Sequence, residues 1–402
     1  MQEVRLILGL TLAAMAGLYT IVASLVLWEA RRRTSYTHRR VDGSRAATPP
    51  RPPSHPPSPG ADTAVSPAVT VLKPLCGAEQ GLYEQLRSFC VQDYPCYQLI
   101  FGVREAHDPA LQVVRQLQAE FPALDSALVI DPTLHGCNAK ISNLINMLPR
   151  ARHDRLILAD SDITVPRDYL ARVLAPLADA GVGLVTCPYR GRALPGLPSE
   201  LGAMFINDWF IPSVMLAERF GSHTFVSGAT IAMRAQLLAA LGGLHSLADQ
   251  LADDYKLGEL VRLHGQRIVL SDLTVETTVH EPTLAALCRH ELRWLRTIQA
   301  SQPLGYAACF PSFPLPTVLV GAALTGFTPA ALTLVGITAA ARLVLHYFAG
   351  GGGRVRWKQL GLLPLREALL TALWAWSFGR REIVWREQRF GIGQDGSLFR
   401  VG

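Results

Sequence analysis

The chain has 402 residues, 49% hydrophobic and only 17% charged, with a net charge of +6. So much apolar mass with so few charges requires part of it to face lipid rather than a soluble core. No folded face interleaves basic with aromatic residues, so no nucleic-acid partner is expected, and the 7 cysteines form no CxxC pair, which argues for free thiols in a reducing cytosol rather than a zinc site or a disulfide framework.

Residues 6–28 carry no charge and are long enough to cross a bilayer. Arg31, Arg32, Arg33, Arg39 and Arg40 follow this stretch. A cleaved signal peptide would carry its positive charge before the apolar stretch, so the segment reads as an uncleaved anchor with its amino end outside. The next part, residues 41–67, is proline-rich and reads as a stiff, extended linker.

From residue 68 to 303 short apolar runs alternate with amphipathic stretches. The apolar runs fall at residues 69–72, 98–103, 127–130, 156–159 and 182–186, and helices are expected at 82–90 and 111–121. This alternation implies an α/β fold with a mostly parallel, doubly wound sheet. After Pro303 the chain turns apolar again. Residues 313–348, interrupted at Gly326-Phe327-Thr328-Pro329, predict a helical hairpin. Residues 360–378 contain Arg366 and Glu367, so this segment dips into a membrane, lies along it or crosses it. The tail is basic, with Arg380, Arg381, Arg386 and Arg389. The division is therefore 1–40 anchor, 41–67 linker, 68–303 catalytic domain and 304–402 membrane-associated region.

The sharpest chemical signal is Asp160-Ser161-Asp162, directly after the apolar run 156–159. Ligands of α/β sheets bind beyond the carboxyl ends of the strands. In an extended segment alternate residues face one way, which lets Asp160 and Asp162 converge. Paired hard oxygens suit Mg2+ or Mn2+ completed by phosphate and water, so a nucleotide diphosphate is implied. Lys73-Pro74-Leu75 ends the first strand, where such sheets hold a nucleotide, and Lys140 within 138–144 is placed to approach a diphosphate unless it is simply an exposed helix lysine. Asp253-Asp254 follows the Gly242-Gly243 turn and offers a general base, or else a solvated acidic pair. Arg293 and Arg296 share one face of a helix, both within reach of a phosphate, and Trp294 beside them is equally suited to anchoring at a membrane interface.

Taken in order, VTVLKPLCG, NAKISNLINML, LADSDI, FVSGATIAMR, LADDYKLGE and HELRW resemble the ceramide glucosyltransferase family. That family is a membrane-anchored branch of the inverting glycosyltransferases with the GT-A fold. The stretches GVREAHDPA and LINMLPRARHDRLILADS favour its bacterial hopanoid branch. The resemblance implies a GT-A-type, Rossmann-like mixed sheet with helices on both faces and membrane helices at both ends. It implies transfer of one sugar from UDP-glucose or UDP-N-acetylglucosamine to a hydroxyl of a lipid, either a ceramide or a hopanoid. The partners are then a UDP-sugar, a lipid acceptor and the bilayer itself. The expected location is a bacterial inner membrane, multi-pass, with the catalytic domain cytoplasmic.

Carried over by position, the resemblance makes Asp160 and Asp162 the metal-binding pair and Asp254 the catalytic base, with Arg293 and Trp294 as the RW pair. Nucleotide-sugar contacts fall to Lys73, Pro74, Glu105, Lys140, Asp160 and Asp253. Two positions depart from the family pattern. Glu105 stands where an aspartate is usual, with Asp108 nearby, and His290 replaces the Gln or Arg that opens the last motif. A processive polysaccharide synthase shares these residues but needs more membrane helices. A non-catalytic scaffold of the same fold would have lost its acidic residues. Finally, residues 201–220 read either as a buried core helix or as an interfacial segment with Trp209 and Phe210 in lipid.

Overall fold

The computed structural model describes residues 1–45, 66–221, 225–350, 357–379, 382–385, 388–393 and 395–401, with side chains in the first segment described to residue 32. Most of the expected linker, and Arg380, Arg381 and Arg386 of the basic tail, lie outside the described residues. The chain begins with α1 (Gln2–Arg45), β1 (Val69–Pro74), α2 (Leu82–Cys90), β2 (Tyr97–Val103), α3 (Ala110–Glu120) and β3 (Ser126–Ile130). It continues with α4 (Ala139–Met147), β4 (Arg155–Ala159), β5 (Ile163–Thr164), α5 (Tyr169–Leu174), β6 (Val182–Thr186) and β7 (Tyr189–Ala193). Next come α6 (Leu197–Phe205), α7 (Ile211–Arg219), β8 (Thr230–Arg234), α8 (Ala235–Ala240), α9 (Asp253–Leu263), β9 (Arg267–Leu270) and β10 (Val275–Val279).

These strands alternate their side chains between two cores. Val71, Leu99, Phe101, Ile157, Val185 and Ala232 face one side, and Leu72, Ile100, Leu156, Leu158, Leu184 and Met233 face the other. Period-two alternation of this kind requires cover on both faces of the sheet. The main sheet has the order β3-β2-β1-β4-β8-β6-β9. Strands β3, β2, β1 and β4 are mutually parallel, with Val69 opposite both Tyr97 and Arg155. The expectation of a mostly parallel sheet needs one amendment, because β8 runs antiparallel to both β4 and β6, making the sheet mixed. A second sheet, β5-β10-β7, begins directly after Asp162.

Beyond these two sheets follow α10 (Leu284–Ser301), α11 (Pro303–Ala307), α12 (Pro314–Leu324), α13 (Pro329–Ala349) and α14 (Trp357–Ser377). The hairpin turn has positive φ at Gly326 and Phe327. Among the described residues, Gln2–Arg32 and Pro329–Ala349 are long and apolar enough to cross a membrane. Helix α12 has 11 residues, and at about 1.5 Å per residue it is too short to cross alone. It lies tightly against α1: a Cβ on Gly9 would stand 2.5 Å from the Gly321 carbonyl oxygen, so only glycine permits this crossing.

Arg366 and Glu367 of α14 face inward, at 1% and 4% exposure. Arg366 grips Glu291 of α10 with two hydrogen bonds, 2.7 and 2.6 Å, and Glu367 pairs with Arg342 of α13. Arg342 and His346 in turn reach Asp208 at 3.1 and 2.7 Å. The charges that left residues 360–378 ambiguous are therefore internal fasteners. The chain ends in β11 (Glu382–Trp385), β12 (Gln388–Ile392) and β13 (Leu398–Arg400), a three-stranded sheet that the basic composition of the tail did not announce.

Candidate active site

Asn138 caps α4, its Oδ1 accepting from the backbone amides of Lys140 and Ile141 at 3.0 and 3.1 Å. The cap places Lys140 at the start of the helix, where its Nζ meets Asp160 Oδ1 at 2.5 Å. Lys140 is 23% exposed and Asp160 33%, so this is a partly shielded pair rather than a solvated helix lysine. Burial works against the Lys140 charge, but Asp160, Asp253 and Asp254 outweigh it and hold its pKa above the ordinary lysine range.

Gly228, in the loop before β8, marks the centre of the site. A Cβ there would stand 3.3 Å from Asp254 Oδ2, 3.4 Å from Lys140 Nζ and 3.8 Å from Asp160 Oδ2. Three residues from distant parts of the sequence thus converge on one glycine. Its backbone amide donates to Asp254 Oδ2 at 2.9 Å, and the Tyr255 amide donates to Oδ1 at 2.7 Å. Asp254 opens α9 and is pushed up to about 7, first by burial and then by Asp253, with Lys140 opposing. Asp253 is raised as well, by burial first.

The aspartate triplet turns at Ser161-Asp162 instead of continuing the strand. Asp162 nevertheless remains an electrostatic neighbour of Asp160, because Thr277 Oγ1 of β10 donates to its Oδ2 at 2.7 Å and the Thr278 amide holds its carbonyl at 3.1 Å. Burial first and Asp160 second raise the Asp162 carboxyl. Two carboxylates that feel each other's charge fit a divalent cation that keeps water and phosphate oxygens in its remaining positions. Among the described residues no group of three or more His, Cys, Asp or Glu side chains forms a complete protein cage.

The other expected residues have surroundings of their own. Lys73 is 0% exposed; its ammonium donates to the Asp160 carbonyl and sits 3.9 Å from the centre of the Phe89 ring. Burial lowers its pKa to about 7. Lys73 is thus enclosed beneath the aspartate turn, with no exposed surface to offer a nucleotide. Pro74 is half-buried at the end of β1, and Glu105 is exposed in the loop after β2. Asp108 is committed to backbone, accepting from Gly77 at 3.0 Å and Ala110 at 2.8 Å. Arg293 stands over the Trp385 ring at 5.6 Å. Arg296, expected on the phosphate face, is buried and donates to the Glu382 carbonyl.

Trp294 joins an aromatic cluster, 5.7 Å from Phe205, 5.5 Å from Phe210 and 6.3 Å from Tyr189 between ring centres. Tyr189 connects this cluster to the carboxylates: burial first, then Asp254, Asp162 and Asp160, raise its pKa well above the usual tyrosine range. His290 meets Trp294 edge-on at 5.4 Å and Glu281 Oε1 at 2.6 Å. Of the two readings of residues 201–220, the core reading holds for Trp209. It is 7% exposed, and its indole N–H donates to Ser312 at 2.8 Å. Sequence reasoning missed Gly228 as the centre, Thr277 and Tyr189. Only Gly228 lay within a quoted motif; Thr277 and Tyr189 carried no signal, because strand pairing alone brings them near.

The profile of glycosyl transferase family 21 matches residues 14–398. The chain belongs to this family. Ceramide glucosyltransferase 3 of Caenorhabditis elegans is 24% identical over 254 residues, 61% of this chain and 55% of that protein. A ceramide glucosyltransferase of Pyricularia oryzae is 31% identical over 155 residues, 35% of this chain and 31% of that protein. The chain spans about half the length of the first of these relatives. Among solved structures, a mannosyltransferase from Pyrobaculum calidifontis in complex with GDP-Man and Mn2+ is 21% identical, with a TM-score of 0.48 over 92% of this chain and 95% of that one.

In this family 21 chain the C-terminal sheet clamps the loop that leads to Asp253 and Asp254. Leu251 is buried with Ile383, Phe390, Ile392 and Leu398. Its amide donates to the Gly396 carbonyl at 3.1 Å, and the Leu398 amide donates to the Asp249 carbonyl at 2.6 Å. From the other side, Asn138 Nδ2 donates to the Gln250 carbonyl at 3.0 Å. Phe390→Ala is expected to remove hydrogen-exchange protection from residues 249–254. Transfer should slow by at least about tenfold, since small misplacements of a catalytic group have effects of that order. Unchanged exchange and activity would make the sheet a mere appendage.

Proposed function

We propose that this protein is a membrane-bound, inverting hexosyltransferase that moves one sugar from a UDP-sugar to a hydroxyl of a lipid. The observation that carries the reading is the convergence of Lys140, Asp160 and Asp254 on Gly228, with Asp254 near neutrality. A base whose pKa lies near the working pH combines a substantial ionised fraction with a strong pull on the proton. Asp254 takes the acceptor hydroxyl proton as oxygen attacks the anomeric carbon, and the UDP oxygen leaves from the opposite side. Direct displacement inverts the configuration and needs no covalent intermediate. Lys140, also beside Gly228, offers an ammonium to the departing diphosphate. Asp160 and Asp162 would hold Mg2+ or Mn2+, which when bound supplies neutralisation of the diphosphate charge.

The lipid acceptor is supported by the same helices. The candidate span Pro329–Ala349 is packed onto the catalytic domain through Asp208, which sits in a π-turn (Ile206–Phe210) beside Phe210 and the Trp294 cluster. An acceptor whose tail stays in a bilayer needs its head delivered at that surface. The chain divides on this reading into residues 1–40, 41–67, 68–303 and 304–402, with the catalytic part on the cytoplasmic side of a bacterial inner membrane.

Purified full-length protein is to be incubated with UDP-glucose or UDP-N-acetylglucosamine and with ceramide or a polyol-tailed hopanoid, and the products weighed by mass spectrometry. One added hexose or N-acetylhexosamine on a lipid is the expected product. A long glycan, or no transfer with any pair, contradicts the proposal. Asp162→Ala should remove transfer without unfolding, since the side chain ends a turn and leaves both cores intact. EDTA should do the same, reversibly with Mg2+ or Mn2+, and full turnover in chelator would retire the metal role.

A further inference from the structure

Two apolar stripes face each other across α1 and α13. Ile21, Leu25 and Trp28 recur at helical spacing on one side, and Ala341, Val344 and Phe348 on the other. Between them lies a groove of about 320 Å³, within the size range of pockets that take up small molecules. Ser24, its one hydroxyl, commits its proton to the Thr20 carbonyl at 2.7 Å and so offers the groove no free donor. Leu25 and Val344 remain 56% and 47% exposed, so no described part of the chain covers them.

One end of the groove is cationic. The Arg31 guanidinium stands over the Phe348 ring at 5.8 Å, and that of Arg32 over the Trp28 ring at 4.3 Å. The rings that wall the groove thus hold cations at its mouth. Arg190 of β7 is an electrostatic neighbour of Arg31 and carries the same sign. An uncharged slot ending in guanidinium groups matches an anionic amphiphile in both shape and charge.

We infer that this groove binds an acyl chain of an anionic phospholipid, with the lipid phosphate held by Arg31 and Arg32. The inference rests on the membrane reading above but assigns a lipid other than the sugar acceptor. A neutral hydroxylated acceptor gains little from paired guanidinium groups, whereas a phosphate oxygen pair accepts from both. Bound there, the lipid joins the two long apolar helices at the end nearest the catalytic domain.

The test uses the full chain, purified in neutral detergent and stripped of lipid. It is titrated with phosphatidylglycerol or with phosphatidylcholine of the same acyl chains, and read by native mass spectrometry and Tm. Phosphatidylglycerol should form a one-lipid adduct and raise Tm by several degrees, because a ligand of the native state stabilises it. Phosphatidylcholine should need at least about tenfold more lipid for the same shift, as expected when charge-assisted bonds are missing. Arg31→Gln combined with Arg32→Gln should erase that preference, and Ala341→Phe, which fills the groove, should remove both adducts. Equal binding of the two lipids, or a preference that survives the double arginine change, overturns the inference. Neither readout depends on sugar transfer, so a protein that binds the lipid yet transfers nothing refutes the enzymatic reading alone.

Discussion

Asp254→Asn is expected to abolish sugar transfer and, in neutral buffer, to raise the melting temperature of the protein. Asparagine keeps the shape but only one acceptor oxygen, so one of the Gly228 and Tyr255 amides loses its partner, and it cannot take a proton. The loss in kcat should reach about 10²- to 10⁴-fold, the usual size of a general-base contribution, with UDP-sugar affinity nearly unchanged. The stability gain follows from linkage. The Asp254 carboxyl titrates at about 7 in the folded protein, above its ordinary value of 3.8. An ionised carboxylate is therefore worse off folded than unfolded, and that cost builds as pH rises through this window and is complete above it. A shift of that size corresponds to about 4 kcal/mol. Solvent access to the site, the loss of one partner for Lys140 and the amide left facing an NH2 group reduce the expected gain to about 1 kcal/mol. The variant should melt higher than wild type at pH 8 and alike near pH 4. Asp253→Asn serves as the control: if it is the more damaging change to transfer, the base is assigned to the wrong member of the pair.

The reason such a trade-off was partly visible in the chain is that the sequence writes local features clearly. The helix at 82–90 is amphipathic over its whole length and forms as expected at Leu82–Cys90. The apolar run at 156–159 forms a strand between polar ends, and pairing with β1 and β8 makes it central. The acidic motifs fell at loop and strand ends, where short range decides their position. What stayed hidden depends on distant pairing. Lys73 reads as a ligand at a strand end, yet the pleat turns it under the sheet edge and onto the Asp160 carbonyl. Thr277 becomes a partner of Asp162 only because β10 pairs with β5. The C-terminal strands lie among arginines, a composition that suggests a membrane-facing tail. Their buried residues, Ile383, Phe390, Ile392 and Leu398, are too sparse to reveal a sheet until Leu251 completes its core.

Arg366→Met is expected to destabilise the protein by about 3–5 kcal/mol, the usual cost of leaving one member of a buried ion pair without its partner. Arg366 and Glu291 have side chains 2% and 5% exposed, and their two hydrogen bonds satisfy both carboxylate oxygens. Burial raises the Glu291 carboxyl despite the opposing Arg366 charge, so desolvation already outweighs attraction. Removing the cation removes the largest favourable contribution in that balance and leaves the smaller one of His290. Glu291→Leu alone should be similarly costly because it strands Arg366, but the double change replaces a charged contact with an apolar one. Such replacements are often neutral or stabilising, so the double variant should recover most of the stability lost by either single change. Function should follow the same pattern. Glu291 lies on α10 between His290 and Trp294, and the bond to α14 sets how that helix presents the aromatic cluster to the carboxylates. Denaturation midpoints for the four proteins of this cycle, with transfer rates beside them, give the coupling directly. Single losses that simply add in the double variant would mean that the two charges act independently, and that α14 does not position the helix carrying Trp294.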